Sequence, residues 1–536
     1  MTHSAKGFFK QGPGNKLWGP SDTQLRAYIA RWLINDGLPF HTVSSEAFRG
    51  LMEVATGKPG LAIILAHTFN DVLSASFVQF REVTKRLLEM EYQLAFKMPF
   101  LNLMHDLWTV STGKKDAIGT SMAFIDKDWT FRTIALLVTV FNESHDSDVV
   151  QKTISSRTRE LYDVEIGSLA QFVMSDTAPA ARKVSKLYED SVPVDCSMHV
   201  LNSCLGYGLG MRENVKTCYV YNPVTNLAEK QRQVYTPGGP FSEGAKLVKK
   251  ARSINNYFKT PQRVERLLKV QRHYGPPELS AMVNCDTRVA STVTLFQKTI
   301  LNYPAFKAYF QRCEAYDDPK VFTELSAEDW CMMTECEAVT QMLADLARIE
   351  VQHEAQVASE LLVLLRLACD RLNANQFHPY KLDALRTPKT TTNSLPRTAM
   401  DASNLSDGAS TCLARVKGQV RKRLSSVSAH SIVILLLDSR TKHSVNTLVR
   451  TSTTSPDGAA SDDVCMIGVD GAIDDGWKML CNAHNAVFRA SCMQQLVKWP
   501  RVRGSSHQTW TSCRRWTTTA SCGVLLWSWR MLEGGR

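Results

Sequence analysis

The stretch FLNLMHDLWTV (residues 100–110) is followed by AIGTSMAFID (117–126) and FRTIALLVTVF (131–141). Each is an apolar run of strand length, and polar turn residues, GKKD (113–116) among them, separate the runs. That pattern predicts three antiparallel strands in a meander. A polar helix is expected over about 146–162, then a buried strand in LAQFVMSD (169–176) and a helix in APAARKVSKLYED (178–190). The order β-β-β-α-β-α calls for a mixed sheet with helices packed on it.

Upstream, Leu25, Tyr28, Ile29, Trp32 and Leu33 recur at helical spacing until DGLPF (36–40), and a second amphipathic helix runs from about Asn70 to Phe96. Downstream, residues 245–370 read as long helices, with Ser326 placed to cap one of them and Asp329 three residues on. LARVKGQVRKRL (413–424) reads as a basic helix, and SIVILLLDSRTK (431–442) as a strand. Beyond Ser444 the periodicity fades, and five of the 11 tryptophans (Trp499, Trp510, Trp516, Trp527 and Trp529) lie in the last forty residues with few aliphatic partners.

The resulting class is α/β plus α. It has a flexible start (1–20), a helical N-terminal region (21–96) and a first part of the sheet core (97–203). A helical insertion (204–384), a Thr/Ser/Asn linker (385–410) and a helix and strand returning to the core (411–443) follow. A degenerate, poorly structured tail (444–536) ends the chain, as out-of-frame or decayed coding sequence would.

A chain of 536 residues is too long for one core. Hydrophobic residues at 44% and charged residues at 21% give an ordinary globular composition. The net charge of +11 permits contact with nucleic acid or an acidic membrane, and solubility alone also explains it. No apolar run approaches the ~18 residues of a membrane span, and the N-terminus lacks the apolar core of a secretory signal. The 14 cysteines, scattered through a long chain, read as reduced thiols.

Two acids could carry chemistry. Asp106 closes FLNLMHD and Asp176 closes LAQFVMSD. Carboxylates at neighbouring strand ends supply the hard oxygen ligands of Mg²⁺ or Mn²⁺ sites that transfer phosphoryl groups. A plain alternative is that both are turn or helix-capping residues, Asp176 above all, since TAPAARKV follows it. CSMH (196–199) is half a zinc pattern with no second pair at zinc-finger spacing, so core packing is the simpler reading. The basic stretch 246–272, with Lys249, Lys250 and Arg252, could meet phosphates or form a solvated face.

Together, WLINDGLPF (32–40), HDLWT (105–109), FIDKDW (124–129), SDTAPAARKV (175–184), CSMHVLN (196–202), CDTRVAST (285–292) and LLLDSRTK (435–442) resemble the hAT superfamily of cut-and-paste DNA transposases, in the family's order. The similarity is to the branch abundant in oomycetes and covers roughly residues 22–442. It implies a ribonuclease H-like domain interrupted by a large helical insertion, acting in the nucleus on the terminal repeats of a transposable element. It maps the first two metal-binding acids onto Asp106 and Asp176, a nearby histidine onto His199, and a DNA-contacting arginine onto Arg288. Mg²⁺ or Mn²⁺ would be the cofactor and DNA the partner, with no membrane.

The departures from the family are specific. Its DNA-stacking tryptophan is Val289, and the proline of its L-D-P-R-T-K segment is Ser439. Its third acid is a glutamate downstream of that segment, yet beyond Glu360 the only glutamate is Glu533. No BED zinc finger and no dimerisation segment are visible. The expectation is a transposase-derived pseudoenzyme. The alternatives are a non-catalytic nucleic-acid- or protein-binding factor of domesticated transposase origin, and a helical scaffold with its two acids far apart.

Overall fold

The computed structural model describes residues 22–56, 66–110, 115–141, 146–224, 226–274, 290–352, 358–382, 395–424, 426–449, 463–465, 467–468 and 471–498. The 1–20 segment, Arg288, Val289, Glu533 and the five late tryptophans lie outside the described residues.

The chain divides into two compact units. The first comprises residues 1–100 and 149–170. Its helices are α1 (Asp22–Asn35), α2 (Glu46–Thr56), α3 (Ala66–Leu94), α4 (Ser147–Tyr162, from Val149 on) and the short α5 (Ile166–Leu169). Ile29 and Leu33, one turn apart on α1, are buried with Val43, so the predicted apolar face closes a small core. Lys85 of α3 donates to the Asp163 carboxylate at 2.8 Å, just beyond α4.

The second unit carries the predicted sheet. Strands β1 (Leu101–Val110), β2 (Lys115–Ile125) and β3 (Phe131–Phe141) form the antiparallel meander, with Asn102 opposite Ala123 and Asp106 opposite Gly119. Next comes β4 (Ala170–Ser175), followed by helix α6 (Pro179–Lys186), strand β5 (Val192–Asp195) and helix α7 (Ser197–Gly208). The sheet order is β3-β2-β1-β4-β5, with β4 and β5 parallel. β5 is an edge strand that the sequence reading missed: it is four residues long and contains Pro193, which an edge tolerates.

An antiparallel ribbon follows, β6 (Val215–Asn222) with β7 (Leu227–Val234), inside the segment expected to be wholly helical. The helices beyond it are α8 (Ser242–Tyr257), α9 (Pro261–Tyr274), α10 (Ala290–Leu301), α11 (Tyr303–Gln311), α12 (Lys320–Thr323), α13 (Ala327–Gln352) and α14 (Ala358–Leu372). They share one core with α7, built around residues such as Leu205, Phe258, Phe296 and Leu343. Ser326 accepts from the Asp329 backbone N–H at 3.2 Å, and Asp329 accepts from the Ser326 N–H, the reciprocal cap foreseen for α13.

The end of the chain departs from expectation in three places. Half of the supposed linker is folded: β8 (Gln376–Phe377) pairs with β9 (Met400–Asp401), and α15 (Asp407–Arg423) starts inside it. SIVILLLDSRTK is not a strand. It lies mostly in α16 (Ala429–Leu437), which follows the short β10 (Ser426–Val427) and is capped by the Ser428 hydroxyl accepting from the Ser431 N–H. A continuous apolar run does not distinguish a buried strand from a buried helix, and the serine cap decides it here. The region after 444 also contains order: α17 (Val445–Leu448), β11 (Ile467–Gly468) paired in parallel with β10, and α18 (Ala472–Lys498) packed on α16. Gly476 of α18 lies so close to Ile432 that a Cβ there would come within 2.4 Å of its Cγ2. No described helix is long and apolar enough to cross a membrane.

Candidate functional site

Alternation along β1 sets the geometry of the site. Leu101, Leu103 and His105 are buried, so they face the interior, and Asp106 emerges on the opposite, exposed face. Asp106 is not at a strand end as its run suggested. β1 continues through Leu107–Val110 because those residues keep pairing with β2 as far as Lys115. Asp176 directly follows β4, the strand next to β1 in the sheet. Its Oδ1 accepts from the Ala178 N–H at 2.6 Å and turns the chain towards α6, so part of the turn-forming role is realised. The cap position itself belongs to Ala178. Asp106 Oδ1 accepts from the Leu107 N–H at 3.0 Å.

His199 sits in the first turn of α7, three residues after Cys196 at its cap. A hydrogen bond with Cys196 raises its pKa above the ordinary histidine value. Burial opposes that rise, and the negative charges of Asp176 and Asp106 add to it. The two acids are thus minor contributors to the raised His199 pKa beside the Cys196 hydrogen bond. The Nδ1 atom of His199 is buried without a hydrogen-bond partner.

On the other face, His105 Nε2 meets the Ser185 hydroxyl of α6 at 3.0 Å. Burial pushes the His105 pKa down to about 4, against the pull of the Asp176 charge, so this ring is neutral near pH 7. Its role is to fasten α6 to the sheet behind Asp106.

Trp108 escaped the sequence reading. It is two residues from Asp106, hence on the same sheet face, and 41% exposed. Its ring lies across Gly119, where a Cβ would come within 2.6 Å of Cζ3. The available signal was the period-two spacing from the acid, with a glycine in the neighbouring strand making room for the ring.

The basic stretch is largely structural. Lys250 donates to Asp329 at 2.5 Å, tying α8 to the start of α13, and Arg252 is half-buried. Arg263 stacks on Tyr257 at 3.9 Å, and Arg266 pairs with Asp317 at 2.8 Å. Lys249 is exposed and remains available to a phosphate.

Asp106 and Asp176 each leave a second carboxylate oxygen with no hydrogen bond among the described residues, which suits hard-cation chemistry. No group of three or more His, Cys, Asp or Glu side chains among the described residues is placed to hold a metal ion. No protein-family model matches the chain, and no curated protein is significantly similar to it.

Proposed function

We propose that this chain is a hAT-type transposase derivative whose Asp106–Asp176 pair holds a divalent cation against DNA phosphate without cutting the strand. The observation that supports this reading is that Asp106 lies on β1 and Asp176 directly follows β4, the strand beside β1 in one sheet. A mixed sheet with its first strand in the centre, followed by a long helical segment, agrees with a ribonuclease H-like core carrying an insertion. The adjacency of β1 and β4 favours this reading over the alternative in which the two acids stand far apart.

The side chains that would hold the cation are Asp106 and Asp176. When bound, Mg²⁺ or Mn²⁺ supplies Lewis-acid stabilisation of phosphoryl oxygens. Around it, His105 anchors α6 behind the sheet, and Trp108 offers an exposed ring face on which an unpaired base can stack. The non-cleaving half of the reading rests on the third acid that the resemblance implies: within residues 361–536 the one glutamate is Glu533.

The test is DNA binding and nicking with and without Mn²⁺. The reading expects Mn²⁺ to strengthen binding in the wild type, no strand cleavage, and loss of the Mn²⁺ increment in Asp106→Asn/Asp176→Asn. Metal-dependent cleavage by the wild type would overturn the inactive half. An Mn²⁺ increment surviving the double substitution would overturn the site.

A further inference from the structure

We infer that the β6–β7 ribbon is a stacking platform for single-stranded nucleic acid. The ribbon is a sheet of its own, and a lone two-stranded ribbon is marginal in water. Apolar side chains exposed on it need a reason. Tyr219 is 71% exposed and Tyr221 is 60% exposed.

The register explains what these rings can do. Tyr219 stands opposite Lys230, Thr217 opposite Arg232, and Tyr221 opposite Ala228. Directly opposed residues project from the same face of an antiparallel pair. One face therefore carries two tyrosine rings flanked by two cations and no acid. Glu229, opposite Val220, belongs to the other face. No ion pair engages Lys230 or Arg232 among the described residues.

Rings at i and i+2 on a strand lie about 7 Å apart and point the same way. Bases stack on such rings whatever their sequence, while neighbouring cations meet the phosphates. A duplex hides its base faces and would leave both tyrosines unused. A protein partner would find the rings, but it has no need of two unpaired cations beside them. The inference extends the nucleic-acid reading above, and it does not use the Asp106–Asp176 pair.

The experiment is fluorescence anisotropy of the full-length chain with labelled oligo-dT, oligo-rU and a duplex of equal length, in EDTA with varied salt. Single strands should bind more tightly than the duplex, and the dT-to-rU ratio then tells whether DNA or RNA is preferred. Tyr219→Leu and Tyr221→Leu should each weaken binding by about 5- to 150-fold, while the phenylalanine replacements retain it. Lys230→Gln/Arg232→Gln should reduce the salt slope by about 1.4, at about 0.7 per lost phosphate contact. Equal affinity for the duplex, no single-strand binding, or leucine variants that bind like wild type would overturn the inference. Because the metal site is silent in EDTA, failure here and failure of the acid-pair reading are separate results.

Discussion

Replacing Arg415 should unlock the helix that carries His199. Arg415 lies on α15 and is wholly buried. Its Nε donates to the Tyr207 carbonyl at 2.6 Å, Nη2 to the Arg212 carbonyl at 2.9 Å, and Nη1 to the Gly239 carbonyl, with Glu213 at 3.7 Å as the counter-charge. One guanidinium thus ties the end of α7, the turn after it and the glycine loop before α8. Arg415→Met keeps most of the volume and removes the side-chain donor from the Arg212 and Gly239 carbonyls, each costing about 1–3 kcal/mol when buried unpaired, while the Tyr207 carbonyl keeps the Gly210 N–H. The sum is an upper bound, since the desolvation cost of the guanidinium also disappears. Removing one partner of a buried charged network costs about 3–5 kcal/mol. With a urea dependence of about 2–3 kcal/mol/M, the unfolding midpoint should fall by about 1–2.5 M. Arg415→Lys, whose single ammonium cannot span three carbonyls, should fall in between. Amide exchange at the end of α7 should accelerate in both. A methionine variant within about 0.5 kcal/mol of wild type would refute the reasoning.

Further outcomes follow from the same geometry. Gly238 has φ +88°, and a Cβ there would come within 2.7 Å of the Arg415 backbone nitrogen, so Gly238→Ala should cost about 1–3 kcal/mol, read by urea unfolding. Asp317, shielded from solvent, would be raised by burial alone. Bonds from Arg266, Tyr257 and Tyr309 instead hold it well below the usual aspartate range. A depressed folded pKa contributes stability that is present above the unfolded value near 3.9 and is lost as pH falls through the folded one. Asp317→Asn should therefore cost about 3 kcal/mol at neutral pH and flatten the acid limb of the stability profile. His199 has the opposite sign: its raised pKa gives stability that is present below the ordinary histidine value and lost as pH rises through the folded one. Asp106→Asn/Asp176→Asn should lower the His199 pKa in an NMR titration, and an unchanged value would separate the acids from the imidazole.

The sheet was legible because β1, β2 and β3 are apolar runs separated by turns, a pattern that depends only on local chemistry. The site was legible in part. Asp176 sits at a transition from apolar to polar sequence, whereas Asp106 is followed by Leu107 and Trp108, and the apolar run alone does not say where β1 stops. α16 was misread because Ile432–Leu437 is apolar on every side, as a buried segment of either type would be. The β6–β7 ribbon was hidden because both strands face solvent and lack the alternation that burial on one face imposes. α18 was missed because its apolar positions are diluted by Asn, His and Gln, and its place is set by packing against α16. The salt-bridged lysines and arginines of the basic stretch could not be told from phosphate ligands, since their acidic partners Asp317 and Asp329 lie far along the chain.

The most direct measurement is electron paramagnetic resonance of Mn²⁺ titrated into the full-length protein and its Asp106→Asn and Asp176→Asn variants. The account predicts a single protein-bound Mn²⁺ in the wild type and its loss in either variant. Bound Mn²⁺ that persists when both acids are replaced, or no bound Mn²⁺ in the wild type, would contradict it.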